Sequence, residues 1–233
     1  QALGTVTPYD LSTKGGSVAR STANAYLISA PGHYRIPLVY GNAIKNGENN
    51  PSSYKTNKRG PNVLRNFQDH AGQDITDPWI EKTNGGSNSG VDGAEVIWAD
   101  AAGLVQLSST PIVRDAVGNA YLDFTVPADN IQGGNAVVAV KKGNTVIWSW
   151  HLWFAPEDVL STIPVTNKQG KVYNFTKETL GWKPTVWEGS SYDKDRMVKV
   201  GIEQTVANSG IKQFAVINLT QKAGCARLGS ATF

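Results

Sequence analysis

Along most of the chain, apolar and polar positions alternate with a period of two, the spacing at which successive side chains of a strand face opposite sides. Ala25-Tyr26-Leu27-Ile28, Ala94-Glu95-Val96-Ile97-Trp98, Tyr121-Leu122-Asp123-Phe124-Thr125-Val126 and Val137-Val138-Ala139-Val140-Lys141 are the clearest cases. Each is rich in the β-branched and aromatic residues that strands favour. Lys142-Gly143-Asn144 lies between Val137–Lys142 and Thr145–Phe154 and predicts a hairpin turn. In the second arm Trp148, Trp150, Leu152 and Phe154 fall on one face, and Ser149, His151 and Trp153 on the other. Burying those four large groups is worth on the order of 10 kcal/mol before entropy, at about 25 cal/mol per Å². That strand is expected near the centre of a sheet. A second hairpin is predicted from Arg196–Val206 and Ile211–Gln221, joined by Ala207-Asn208-Ser209-Gly210, with Val198, Val200 and Ile202 sharing a face. Helical spacing is confined to Pro61–Ala71, where Val63, Leu64 and Phe67 come after a proline suited to a first turn.

These elements predict an all-β fold: an antiparallel β-sandwich of Ig-like or transthyretin-like type, a smaller C-terminal β segment, and at most one or two short helices. The expected organisation is a mobile or strand-exchanging N-terminal segment over 1–21, the sandwich over 22–157, and a smaller β-rich segment or second domain over 158–233. Ser161-Thr162-Ile163-Pro164 reads as the connector. Lys45–Gly60 and Lys82–Gly93, dominated by Asn, Ser, Gly and Lys, read as loops.

Composition narrows the function classes. The 233 residues suffice for one generous core or two modest ones. With 24 Gly and 11 Pro and only 18% charged residues, the chain is turn-rich. The net charge of +3 is scattered without basic runs, so nucleic acid is not an expected partner. Cys225 is the only cysteine, which excludes an intramolecular disulfide and a Cys-based zinc site. No apolar stretch is long enough for a membrane helix. Gln1 in place of an initiating Met reads as a processed or trimmed chain, with any signal sequence or lipid anchor outside it.

Candidate chemistry is sparse. His33, His70 and His151 are far apart and in no ligand spacing, and the nucleophile-elbow, P-loop and dinucleotide motifs are missing. No catalytic residue, cofactor or metal is therefore assigned. Asp69, Asp74 and Asp77, or Asp92, Glu95 and Asp100, offer paired carboxylates of the kind glycoside hydrolysis uses, although acids at turns are ordinarily solvated. The Asn/Asp/Gly loops lack the order of a calcium loop. Trp79, Trp182, Trp187 and Tyr192 lie beside turn residues, outside the strongest core pattern, and are the candidates for stacking on a sugar ring; the competing reading is a core edge.

Thr22-Ala23-Asn24-Ala25-Tyr26-Leu27-Ile28-Ser29-Ala30-Pro31-Gly32-His33-Tyr34, then Leu38-Val39-Tyr40-Gly41-Asn42-Ala43-Ile44-Lys45-Asn46-Gly47, Asn135-Ala136-Val137-Val138-Ala139-Val140 and Trp148-Ser149-Trp150-His151-Leu152-Trp153 resemble, in order, segments of the fimbrillin-like surface proteins of gut Bacteroidetes. The likeness covers residues 22–155. It implies an exported lipoprotein or fimbrial component, built from β-sandwich domains and serving adhesion or pilus assembly. Leu180-Gly181-Trp182 and Asn218-Leu219-Thr220-Gln221 are similar to the later part of longer members, which continue into a lectin-like region, so the resemblance implies a fragment of a longer protein. Phe154-Ala155-Pro156-Glu157 departs from the more polar turn of that group. The same resemblance implies maturation by cleavage after Arg20.

The expected function is thus adhesion or fimbrial assembly at the cell surface, facing outward from the outer membrane, without enzyme activity. Its partners are other surface subunits or a host ligand. The alternatives are a glycan-binding module of a surface polysaccharide uptake system and a carbohydrate-active enzyme.

Overall fold

The computed structural model describes residues 3–5, 7–56, 66–183, 196–205 and 212–221. The chain divides into two compact units, Gln1–Trp182 and Lys183–Phe233. In chain order the first unit contains β1 (Tyr9–Asp10), β2 (Ala25–Ile28), β3 (Gly32–Pro37), β4 (Ile44–Lys45), β5 (Glu48–Asn49), the one-turn helix α1 (Thr83–Gly86), β6 (Gly93–Ala99), β7 (Ile112–Arg114), β8 (Ala120–Val126), β9 (Gly134–Lys142), β10 (Thr145–Phe154), β11 (Thr162–Thr166) and β12 (Val172–Thr176). The second contains the hairpin β13 (Arg196–Thr205) and β14 (Lys212–Gln221). No helix among the described residues is long and apolar enough to cross a membrane.

The fold is all-β, as the alternation predicts. Two four-stranded sheets, ordered β1-β3-β8-β7 and β2-β10-β9-β6, are accompanied by two-stranded ribbons, β4-β5 and β11-β12 in the first unit and β13-β14 in the second. Both large sheets are mixed. β1 runs parallel to β3, and β2 runs parallel to β10 with Ala25 beside His151 and Ile28 beside Phe154. The other pairings of the two large sheets are antiparallel, as expected; the parallel partners of β1 and β2 are set by long-range closure, which local alternation does not encode.

Tyr34, Ile36, Leu122, Phe124 and Val126 from the first sheet share one core cluster with Ile28, Val138, Val140, Trp150, Leu152 and Phe154 from the second. β10 is central, as its aromatic content predicts, and full burial of Trp150, Leu152 and Phe154 contributes about 2–3 kcal/mol each. Trp150 Nε1 has no hydrogen-bond partner among the described residues. That orphaned donor costs about 1–3 kcal/mol, which burial of the indole offsets. The β9–β10 turn is the predicted one: Thr145 pairs with Lys142, leaving Gly143 (φ 58°) and Asn144 as a two-residue loop.

Residues of the expected N-terminal segment take part in the first sheet. Leu3 N–H donates to Pro31 O, and Leu3 forms a parallel bridge with Gly32. Gly32 is required there, because a Cβ would collide with the Leu3 backbone. On the outer face, register aligns Asp10, Arg35 and Asp123 across β1, β3 and β8, and Arg35 bonds Asp123 in a bidentate pair at 2.7 and 2.8 Å.

Other expectations shift. Of the helix expected over Pro61–Ala71, residues 61–65 lie outside the described residues, and 66–71 form no helix. Asp69 closes a turn there by accepting from the backbone N–H of Ala71 and Gln73, and Gly72 has φ 77°. The short helix falls instead in the stretch read as loop, at Thr83–Gly86, where Thr83 is fully buried. The Thr162-Ile163-Pro164 connector is the start of β11, which comes after a 3-10 turn at Glu157–Leu160 and pairs with β12. In the second unit Val198, Val200 and Ile202 pair with Leu219, Ile217 and Ala215, giving the predicted hairpin. Its turn lies outside the described residues.

Candidate functional site

An irregularity in β10 opens a place for chemistry with a partner. Register shifts between Val146 and Trp148, so Ile147 turns into the core; Trp148, in phase with Trp150, packs half-buried against the core. Trp148 meets Tyr40 edge-on, with ring centroids 4.9 Å apart, and its Nε1–H donates to Asn24 Oδ1 at 3.1 Å. Tyr40 and Asn42 come after β3, Ser53 and Tyr54 after β5, and Phe67 and Ile75 flank the turn built on Asp69. Together they line a small pocket of about 50 Å³ beside Trp148. Phe67 is 60% exposed at its mouth, whereas Tyr54 and Ile75 are buried. An open groove of about 540 Å³ continues from it, sharing Asn24 and Trp148 and adding Gln68, His70, Ser149 and His151.

Among the described residues no lysine or arginine lines either concavity, and their one carboxylate is Asp69. Asp69 is buried, and besides the Ala71 and Gln73 amides it accepts from the Nδ2 groups of Asn84 and Asn88, both at 3.3 Å. Burial pushes its pKa up, but these donors outweigh it and hold the carboxyl below its ordinary range. It is a structural anion and not a poised acid or base. Asn88 also donates to the Tyr40 hydroxyl at 3.0 Å, and burial pushes that hydroxyl up to about 12 despite the contact. Apart from Asp69, the described lining residues present neutral groups to a ligand: aromatic walls, amides, hydroxyls and imidazoles.

One end of the groove rests on a hydrogen-bonded hub. Asn135 on β9 is buried; its Nδ2 donates to Asp100 Oδ2 and Gly181 O, both at 2.9 Å, and its Oδ1 lies 2.8 Å from His151 Nε2. Because both Nδ2 hydrogens are committed, Oδ1 must accept, so His151 carries its proton on Nε2. Burial lowers the His151 pKa. Trp153 on the same face donates from Nε1 to Trp182 O at 2.8 Å, so residues 181–182 are strapped over this end of the sheet.

The residues singled out in the sequence are dispersed. Trp79 and Arg20 come together on the outer face of the first sheet. The Arg20 guanidinium lies 5.6 Å and Lys82 Nζ 5.3 Å from the Trp79 ring, and Arg20 pairs with Asp10 at 3.2 Å and Tyr121 Oη at 3.0 Å. The Arg20–Ser21 peptide is held on both sides, Gly47 N–H donating to Arg20 O and Ser21 N–H to Ser12 O. Trp182 is half-buried in the strap; Trp187 and Tyr192 lie outside the described residues. The acids do not form a free pair: Asp74 accepts from Asn66, Asp77 from the Trp79 amide, Asp92 from the Gly143 amide, Glu95 pairs with Lys141, and Asp100 holds Asn135. Among the described residues no group of three or more His, Cys, Asp or Glu is placed to hold a metal, and Cys225 lies outside them.

Sequence reasoning misses Trp148, Phe67 and the tyrosines behind them. Alternation rightly puts Trp148 on the face of Trp150, but it does not show that Trp148 is only half-buried there, and nothing local links Tyr40, Tyr54 and Phe67 to that strand. No protein-family model, curated protein or solved structure matches the chain.

Proposed function

We propose that this chain is a non-catalytic binding protein of the cell surface, of adhesin or fimbrial type, and that its ligand is a glycan taken at Trp148 and Phe67. One observation carries the reading: an aromatic-walled pocket and groove lined, among the described residues, with Asn, Ser, Gln and His side chains, their one carboxylate, Asp69, being held by its own turn. A sugar presents an apolar C–H face, which an indole or phenyl ring complements, and hydroxyls that both donate and accept, as amide and hydroxyl side chains do. The likeness of residues 22–155 to fimbrillin-like proteins points to the same class. Assembly with neighbouring subunits, the other half of this reading, is supported by the edge position of β6, where Ile97 and Trp98 are 49% and 51% exposed.

A glycan array probed with the full chain tests the proposal, with Trp148→Ala beside Trp79→Ala and Trp182→Ala. Binding is expected for the parent and lost at least tenfold, about 1.4 kcal/mol, in Trp148→Ala alone. The bound glycans should be recovered intact. An array without signal, retention of binding in a folded Trp148→Ala protein, or new reducing ends in the recovered glycan would each overturn it.

A further inference from the structure

Resting on the glycan reading of this site, we infer that the small pocket holds the acetamido group of a 2-acetamido sugar, with the sugar ring and its neighbours lying in the open groove. Size is the first reason. About 50 Å³ has room for roughly three or four water-sized groups, which matches the four heavy atoms of an acetamide and is too small for a pyranose ring. The adjoining groove of about 540 Å³ is large enough for rings.

The lining is the second reason. Buried Tyr54 and Ile75 and the exposed Phe67 ring provide an apolar end for a methyl group. At the same pocket Asn24 has its Oδ1 committed to Trp148, which orients its Nδ2 as a donor for a carbonyl oxygen. Ser53 Oγ already donates to Asn50 O at 2.8 Å, so toward a ligand it is an acceptor, suited to the acetamido N–H. One donor, one acceptor and an apolar wall are what an acetamide needs. A sugar hydroxyl in the same place would leave the apolar wall uncovered. A carboxylate or sulfate would be desolvated there with no lysine or arginine among the described lining residues to pair with it.

Isothermal titration of the full chain with methyl glycosides of N-acetylglucosamine, N-acetylgalactosamine, glucose and galactose tests this. The acetamido sugars are expected to bind at least about tenfold more tightly than their 2-hydroxy counterparts. Ser53→Val should bring the ratio of acetamido to hydroxy-sugar affinity to about one. Ser53→Ala serves as the second variant where Ser53→Val does not fold, with the same expected result. Equal affinity for acetamido and hydroxy sugars, or a preference that survives both substitutions, overturns the pocket assignment and leaves the glycan reading standing. Failure of every saccharide to bind overturns both.

Discussion

Asn135→Ala removes three side-chain hydrogen bonds from a position only 8% exposed, and its cost can be worked out from the partners. The bond to the Asp100 carboxylate, at 2.9 Å, is charge-assisted and worth about 1.5–3 kcal/mol. The bonds to Gly181 O and His151 Nε2 are worth about 0.5–1.5 kcal/mol each. Asp100 keeps the backbone N–H of residue 135, so no carboxylate is abandoned, and water at the groove recovers part of the loss. The expected destabilisation is about 3 kcal/mol, read as a lower urea midpoint at unchanged slope. Because Gly181 O loses its anchor, the strap over Trp153 should loosen, and hydrogen exchange at the Trp182 amide should accelerate relative to amides of β9. A loss below about 1 kcal/mol, or unchanged exchange at Trp182, would refute the view that Asn135 ties the strap to the sheet.

Burial lowers the His151 pKa from its ordinary 6.5, so on acidification the unfolded chain takes up this proton before the folded one does. Stability from this group is full above 6.5 and falls as pH drops toward the folded value; melting temperature should decline between about pH 7.5 and 5, with a smaller decline in His151→Gln. Equal slopes in the two proteins would refute it; Asp69 and Asp115, also lowered by their hydrogen bonds, act below 3.8 and outside that window. At the β6 edge, Trp98→Lys should abolish self-association of the chain in sedimentation velocity. A parent that stays monomeric, or a variant that associates as well as the parent, would remove β6 as the assembly edge.

Period-two alternation by itself determined that the chain is β, that β8, β9 and β10 exist, and that Gly143-Asn144 closes a hairpin, because a half-buried strand must alternate and a tight turn needs a residue with φ above zero. Tertiary structure alone decided the parallel pairing of β1 and β2, the phase shift that turns Ile147 into the core, and the closure of the Asp69 turn by Asn84 and Asn88. Each of these joins residues distant in sequence through hydrogen bonds or turns on a single unpaired residue, and neither leaves a local periodicity. For the same reason the tryptophans that stand beside turns, Trp79 and Trp182, are engaged by cations and by a strap, while the aromatic pocket assembled from Tyr40, Tyr54, Phe67 and Trp148 has no signature along the chain.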